Sequence, residues 1–476
     1  MANPFRKYFL VDYMVKREYL HGDLPETKTA YHNLLSIAIP SIIEMVFVSL
    51  IGSVDTIMVG RLGYEAIASV GLALQPRLIL LSIFMALSVG VTAIVARRKG
   101  QNLPEEANRT LRNALALIMG LTVIITTAAL LFSREIMLIS GAQPETLEMA
   151  DTYFRIMAYF LPVNALTLCI NAAQRGIGDT RIAMIANVTA NIVNVFFNFL
   201  LIYGSWGFPR LGVAGAAWAS GIGFCVGLFI SIYSLLSYRH GNHFLHISFK
   251  DNWRPHRETL RSILVLGGNS VLEQMGQRLG IFFYTIVIAN LGTAVFAAHQ
   301  VGMQFLVFSF NFSTGLAAAS TSLVGQMLGE KRPDLAIVYG KCSQRLALLM
   351  SIGLASALIL LRGPLVGIFL NQNDPENLIS LGIAVDLLLV VAMLQLPQTS
   401  AVVISGCLRG AGDNLYVAVA MIICVAVVRP VLCVLAVNIF HLGVLGAWAA
   451  SVVDMSLRLG FMFHRFSGAK WHNIKV

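Results

Sequence analysis

Twelve apolar stretches of roughly 20 residues or more follow one another along this chain, and each is long enough to cross a hydrocarbon core of about 30 Å as a helix. They read as 34–59, 66–95, 113–132, 152–173, 182–203, 212–237, 263–289, 295–324, 343–361, 378–406, 415–439 and 443–464. Lipid offers the backbone no hydrogen-bond partners, so such a chain must satisfy its own N–H and C=O groups as a bundle of helices. Composition agrees, with 57% hydrophobic and only 12% charged residues, where a soluble domain carries about 25% charged. The expected fold class is an all-α membrane protein with twelve transmembrane helices.

The charges that remain are placed by topology. Residues 1–33 mix Arg6, Lys7, Lys16 and Arg17 with Asp12, Glu18 and Asp23 and hold no apolar signal-like run, so they read as an N-terminal tail. With that tail in the cytoplasm, most of the 34 Lys and Arg fall on the cytoplasmic side, and only Arg61, Arg134, Arg210 and Arg362 fall outside. The positive-inside rule then puts both termini in the cytoplasm of an inner or plasma membrane. The net charge of +10 is accounted for by this asymmetry and does not call for nucleic acid as a partner. Six cysteines show neither CxxC nor Cys/His metal spacing.

Compared with itself at an offset of 229 residues, the chain aligns Ser41 with Ser270, Glu44 with Glu273, Thr56 with Thr285, Gln75 with Gln304, Thr92 with Thr321 and Pro104 with Pro333. "RGIGD" at 175–179 then matches "RGAGD" at 409–413, and "GVAGAAWAS" at 212–220 matches "GVLGAWAAS" at 443–451. The domain reading is therefore a tail (1–33), a six-helix lobe (34–237), a cytoplasmic basic linker (238–262), and a second six-helix lobe with a short cytoplasmic C-terminal tail (263–476). Equivalent helices are separated by an even number of spans, so the lobes are parallel repeats, an organisation found in secondary transporters that rock about a central site. No GxxxxGK[ST], HExxH or GxSxG motif is present. The expectation is a carrier driven by an ion gradient, not an enzyme, with no cofactor.

Acids inside spans are costly, about 2.5–3.5 kcal/mol each on insertion scales, and so mark candidate sites. Asp55 closes the first span; its bland alternative is a local bond to Thr56 or the Gly60 turn. Glu44 and its mate Glu273 could attract a cationic substrate, or could pair with the intramembrane Arg77 and Arg278. Asp386 is a candidate cavity residue. Asp454 and Arg458 stand at the i,i+4 spacing of a helical ion pair, His299 reads as a packing hydrogen-bonder, and the RGxGD loops read as tight turns.

"SVDTIMVGRLG", "AAQRGIGDTR", "GVAGAAWAS" and "GCLRGAGD", in this order and duplicated, resemble the multidrug and toxic compound extrusion (MATE) transporters over residues 34–464. The resemblance implies two six-helix pseudo-symmetric lobes set as a V around a central cavity. It further implies export of small cationic or amphipathic organic compounds in exchange for H+ or Na+. Asp55 falls on the family's first-helix aspartate, Asn194 and Asn198 on fifth-helix polar positions that hold a cation or tune the carboxylate, and Ser220 on a sixth-helix hydroxyl position. Where one branch of the family places C-lobe acids for Na+, this chain has Gln277 and Gln398. Coupling is thus expected in the N-lobe, at a lone carboxylate whose thin oxygen shell favours H+ over Na+ at Asp55. Glu44, Glu273, Gln277, Gln398 and Asp386 form the expected substrate cavity. The expected partners are small organic cations and the lipid bilayer, with the chain a monomer. A lipid-linked oligosaccharide or polysaccharide flippase of the same superfamily is the nearest alternative, but it wants a basic interior, while here Glu44, Asp55, Glu273 and Asp386 balance Arg77, Arg155, Arg278 and Arg429.

Overall fold

The computed structural model describes residues 4–236, 244–247, 252–369 and 378–474, so the expected linker at 238–262 lies partly outside the described residues. A short helix α1 (Pro4–Phe9) precedes the long elements. These are α2 (Thr27–Gly60), α3 (Tyr64–Gly100), α4 (Pro104–Leu131), α5 (Ser133–Ile139), α6 (Pro144–Tyr159), α7 (Leu161–Gly176), α8 (Thr180–Tyr203) and α9 (Val213–Leu236). The second half holds α10 (Arg257–Ala289), α11 (Thr293–Gly329), α12 (Pro333–Phe369), α13 (Leu378–Gly410), α14 (Asn414–Met421), α15 (Arg429–Val434) and α16 (Gly443–Ser467). No strand occurs among the described residues.

Ten of these helices are long and apolar enough to cross a membrane, counting 414–439 as one, and α6 with α7 supplies an eleventh as a pair bent by 46°. The twelfth is α10, whose apolar run is interrupted by Glu273, Gln274, Gln277 and Arg278. Large apolar side chains face outward on them, among them Ile124, Leu131, Phe229 and Leu360, each at least two-thirds exposed, as a lipid-facing surface requires. The chain is a multi-pass all-α membrane protein.

Two departures from straight spans stand out. The stretch 152–173, expected as one helix, is broken at Phe160, where Pro162 in the first turn of α7 supplies no N–H to continue the ladder. The stretch 415–439 carries π-helical turns at Ile422–Val428 and Leu435–Ile439 on either side of α15, with Pro430 between them lacking its backbone donor.

The chain folds as two compact units, 43–268 and 1–42 with 269–476. The dividing points fall inside α2 and α10, not at the linker. The cause at α2 is visible in the packing: Ala30, Leu34 and Ala38 are buried with Leu316, Leu323, Val338 and Val403. Within the stretch 1–33, read as an N-terminal tail, residues 4–26 are folded, with Val11 and Met14 buried in that same core.

The sequence repeat is repeated in detail. Thr92 Oγ1 donates to the Ala172 carbonyl at 3.0 Å, and Thr321 Oγ1 to that of Gly406 at 2.8 Å. Gly178 and Gly412, in the two RGxGD turns, both sit at φ 89°, a left-handed conformation that glycine adopts without a Cβ penalty.

Candidate functional site

In the 43–268 unit, α8 and α9 pack closely because α9 presents glycines to α8: a Cβ at Gly223 would stand 2.6 Å from the Ala190 carbonyl oxygen. This approach brings Asn194 and Asn198, one turn apart on the buried face of α8, up to Ser220 of α9. Asp55, half-buried five residues before the end of α2, completes the group. Asn198 Nδ2 donates to Asp55 Oδ1 at 2.7 Å.

The Asn194 amide nitrogen donates to Asp55 Oδ1 at 2.8 Å and Oδ2 at 3.1 Å, while its oxygen accepts from Ser220 N at 3.1 Å and Oγ at 3.0 Å. That orientation suits an ionised carboxylate, which only accepts; a protonated acid would call for the amide oxygen instead. Asn198 Oδ1 is buried and has no hydrogen-bond partner. Three oxygen-bearing side chains, Asn194, Asn198 and Ser220, therefore group around one acid, with an acceptor to spare, a donor set that suits a proton or a small hard cation.

Asp55 makes no ion pair within 4.0 Å among the described residues. Arg77, the charged neighbour on α3, lies with its guanidinium 5.6 Å from the centre of the Phe224 ring. The local alternative is also unsupported, since Thr56 Oγ1 donates to the Gly52 carbonyl at 3.0 Å.

Glu44 lies in the same unit and is buried. Its Oε1 accepts from Arg175 Nη1 at 3.0 Å and Asn187 Nδ2 at 2.6 Å, and Oε2 is buried without a partner. In the other unit its mate Glu273 pairs with Arg409. The ion pairs expected with Arg77 and Arg278 are thus made with the arginines that open the two RGxGD turns. Those arginines close α7 and α13, and their side chains are long enough to reach back into the bundle.

Gln277 is half-buried and Gln398 fully buried, with its Oε1 unbonded. No hydrogen bond joins the two among the described residues. Asp386 lies exposed on α13.

The second unit also holds a polar cluster that sequence reasoning misassigned. Asp454 does not pair with Arg458, one turn away, but with Arg429, whose Nε and Nη2 donate to its Oδ2 at 2.8 and 2.5 Å. Arg458 instead points its two terminal nitrogens at the sulfurs of Met421 (3.1 Å) and Met455 (2.9 Å). His299 accepts at Nδ1 from Trp448 Nε1 at 3.1 Å, a packing bond between α11 and α16.

Comparison with known proteins comes to rest on one family. The MatE sequence profile matches residues 40–200 and again residues 270–435. The probable multidrug resistance protein NorM of Thermotoga maritima is 26% identical over 98% of this chain and 97% of its own length. The uncharacterized transporter YisQ of Bacillus subtilis is 25% identical over 94% of this chain and 96% of its own. Among solved structures, an outward-facing multidrug resistance MATE transporter of the MOP superfamily superimposes with a TM-score of 0.85, at 23% identity, over 94% of this chain and 97% of that one. A MOP superfamily transporter from Pyrococcus furiosus gives 0.86, also at 23%, over 92% and 95%. These two structural likenesses speak to the fold.

Proposed function

We propose, since this chain belongs to the MatE family, that it is a multidrug exporter of cationic and amphipathic organic compounds, coupled to H+ entry at Asp55. The observation that carries the coupling is the unpaired carboxylate among two amides and a hydroxyl: Asn198 holds one oxygen at 2.7 Å, and the Asn194 nitrogen reaches both oxygens, at 2.8 and 3.1 Å. An acid locked to an arginine would have to break an ion pair to change charge. This one has only to rotate an amide.

The cycle follows from linkage. In the outward state Asp55 takes a proton, Asn194 turns its oxygen toward the new O–H, and the 43–268 unit settles in the form with lower affinity for the organic cation. Drug and proton then bind in opposition, and each weakens the other by the same factor. After the drug leaves, the protonated carrier returns inward and releases the proton. Na+ is the competing driver; Asp55, Ser220 Oγ and the spare Asn198 Oδ1 would be its ligands, a set short of the six or so oxygens a hard cation commonly gathers. The Lys and Arg distribution supports a cytoplasmic position for both termini, in an inner or plasma membrane, and the carrier is read as a monomer. Glu44 and Glu273, each held by an arginine, are read as structural supports within their own units more than as the exchange point.

The test is ethidium export in everted vesicles energised separately by a pH gradient and by a Na+ gradient. The parent is expected to work on the pH gradient without Na+, and Asp55→Asn to lose export under either. Export by Asp55→Asn at the parent's rate under both gradients would refute the assignment. Export only with Na+ would keep the site and replace the ion.

A further inference from the structure

The folded N-terminal segment helps to build a cavity away from the Asp55 cluster. Residues 4–26 are clasped to the end of the second unit by several hydrogen bonds: Val11 N to Thr27 Oγ1 at 3.1 Å, His21 N to Asp334 Oδ2 at 3.2 Å, and Arg332 Nη2 to the Asp23 carbonyl at 2.9 Å. Beneath the segment, at the start of α12 and the ends of α13 and α16, lies a cavity of about 260 Å³, far above the roughly 30 Å³ share of one water. Lys16, Lys341 and His472 supply cationic and hydrogen-bonding groups to its lining, and Ile404, Phe463 and Phe466 an apolar wall.

Its charge is not balanced from within. Lys341 is half-buried and donates to the Met14 carbonyl at 2.5 Å, with no carboxylate within 4.0 Å among the described residues. Just outside the lining, one turn along α12, Arg345 is buried against the Tyr8 ring at 4.4 Å, and its Nη1 has no hydrogen-bond acceptor among the described residues. Lys16 meets Glu18 at 3.6 Å, and both side chains are largely exposed, an arrangement that contributes little. The buried His472 Nε2 is also unbonded. Sheltered positive charge without a counter-ion is costly, and an anion in the cavity offsets that cost.

We propose that this cavity binds the phosphate-bearing headgroup of an anionic phospholipid, with the phosphate against Lys16 and Lys341 and the glycerol end against Phe463 and Phe466. The apolar wall favours a lipid over free phosphate: Ile404 and Phe463 belong to membrane-spanning helices, and Phe463 is exposed on the outer side of α16, so the headgroup's chains have a route out along the bundle. The segment 4–26 is then a clasp whose grip depends on the lipid present.

The experiment uses the full-length protein purified in detergent, with bound lipid counted by native mass spectrometry and stability followed by Tm. Phosphatidylglycerol, phosphatidylcholine with the same chains, and inorganic phosphate are added separately. Phosphatidylglycerol is expected to bind in preference to phosphatidylcholine and to raise Tm, and each lysine to account for about a fivefold change in retention. Lys16→Gln tests this at an exposed side chain that leaves the fold alone; Lys16→Gln with Lys341→Gln should bring phosphatidylglycerol down to the phosphatidylcholine level. Unchanged preference in both variants, or equal binding of the two lipids by the parent, overturns the proposal. So does displacement of phosphatidylglycerol by inorganic phosphate alone, which would mark a site for the free ion.

Discussion

The Glu44–Arg175 pair can be separated from any part in transport by a double-mutant cycle on stability. The side chains are 2% and 14% exposed, so the pair is shielded from water but not sealed. Glu44 Oε1 takes two donors, Arg175 and Asn187. In Glu44→Gln the carbonyl oxygen still accepts both, but two charge-assisted bonds become neutral ones, a loss of about 1 kcal/mol each. The guanidinium left without a counter-charge adds to this, for a total of about 3 kcal/mol. Arg175→Met strands the more deeply buried partner and is expected to cost about 3–5 kcal/mol. The double variant removes both charges, and a coupling energy of about 2 kcal/mol should separate it from the sum of the singles. For a unit the size of 43–268, about 2–4 °C in Tm accompanies each kcal/mol, so Glu44→Gln should fall by roughly 6–12 °C in detergent and the double variant by less than the two singles together. Coupling below about 0.5 kcal/mol would refute the reasoning. So would a Glu44→Gln protein as stable as the parent that no longer exports ethidium, because the acid would then serve the cargo and not Arg175. Glu273→Gln should repeat the pattern through Arg409, somewhat more weakly, as that arginine is 21% exposed.

Two further substitutions follow from the packing. Asp454→Asn leaves the buried Arg429 unpaired and should destabilise by about 3–5 kcal/mol, whereas Arg458→Met replaces a buried cation that has no carboxylate within 4.0 Å and should leave Tm unchanged or raise it; a thermal scan in which Arg458→Met falls as far as Asp454→Asn would restore the i,i+4 pair. Gly223→Ala pushes α9 off the Ala190 carbonyl and should cost about 1–3 kcal/mol, with loss of ethidium export as Ser220 withdraws from Asn194; export at the parent's rate would show that the closeness of α8 and α9 is not needed.

What the sequence disclosed was governed by short-range pattern, and what it withheld was governed by distant contacts. The helices stand where the apolar runs stand, because a membrane span must bond its own backbone. The break in the fourth span was hidden because "LP" occurs at 161–162, where the helix bends, and at 396–397, where α13 runs on through Pro397; the dipeptide is common to both and the surrounding packing decides. Asp454 was paired with the wrong arginine because i,i+4 proximity counts only along a helix, and Arg429 reaches it from a helix distorted by π turns. The partners of Glu44 and Glu273 were legible in principle: acid and arginine recur together, at offsets of 229 and 234 residues, and a pair conserved across both halves of one chain is a contact waiting to be read. The folded N-terminal segment also had a signal in Val11, Met14 and Val15, an apolar i, i+3, i+4 triplet set among the charges.

The repeat also bears on where the exchange point lies. The register that aligns Glu44 with Glu273 aligns Asp55 with Tyr284, and the offset of 231 residues between the sixth and twelfth spans aligns Ser220 with Ser451. At that position the second unit has no free acid: Tyr284 lies 5.7 Å, ring centre to guanidinium, from an Arg429 already committed to Asp454. A closed ion pair resists a change of protonation, because losing either charge strands the other in a buried place. The first unit leaves its carboxylate to amides, and on the coupling proposed above these answer a proton by turning over. The two repeats thus differ at this position: a closed ion pair in one, a carboxylate held by amides in the other. Transferring the arginine should convert one into the other: Asn198→Arg is expected to hold Asp55 as Arg429 holds Asp454, leaving the protein folded and drug-binding by equilibrium dialysis but unable to exchange. A variant that still drove ethidium export from a pH gradient would show that an unpaired acid is not what coupling requires.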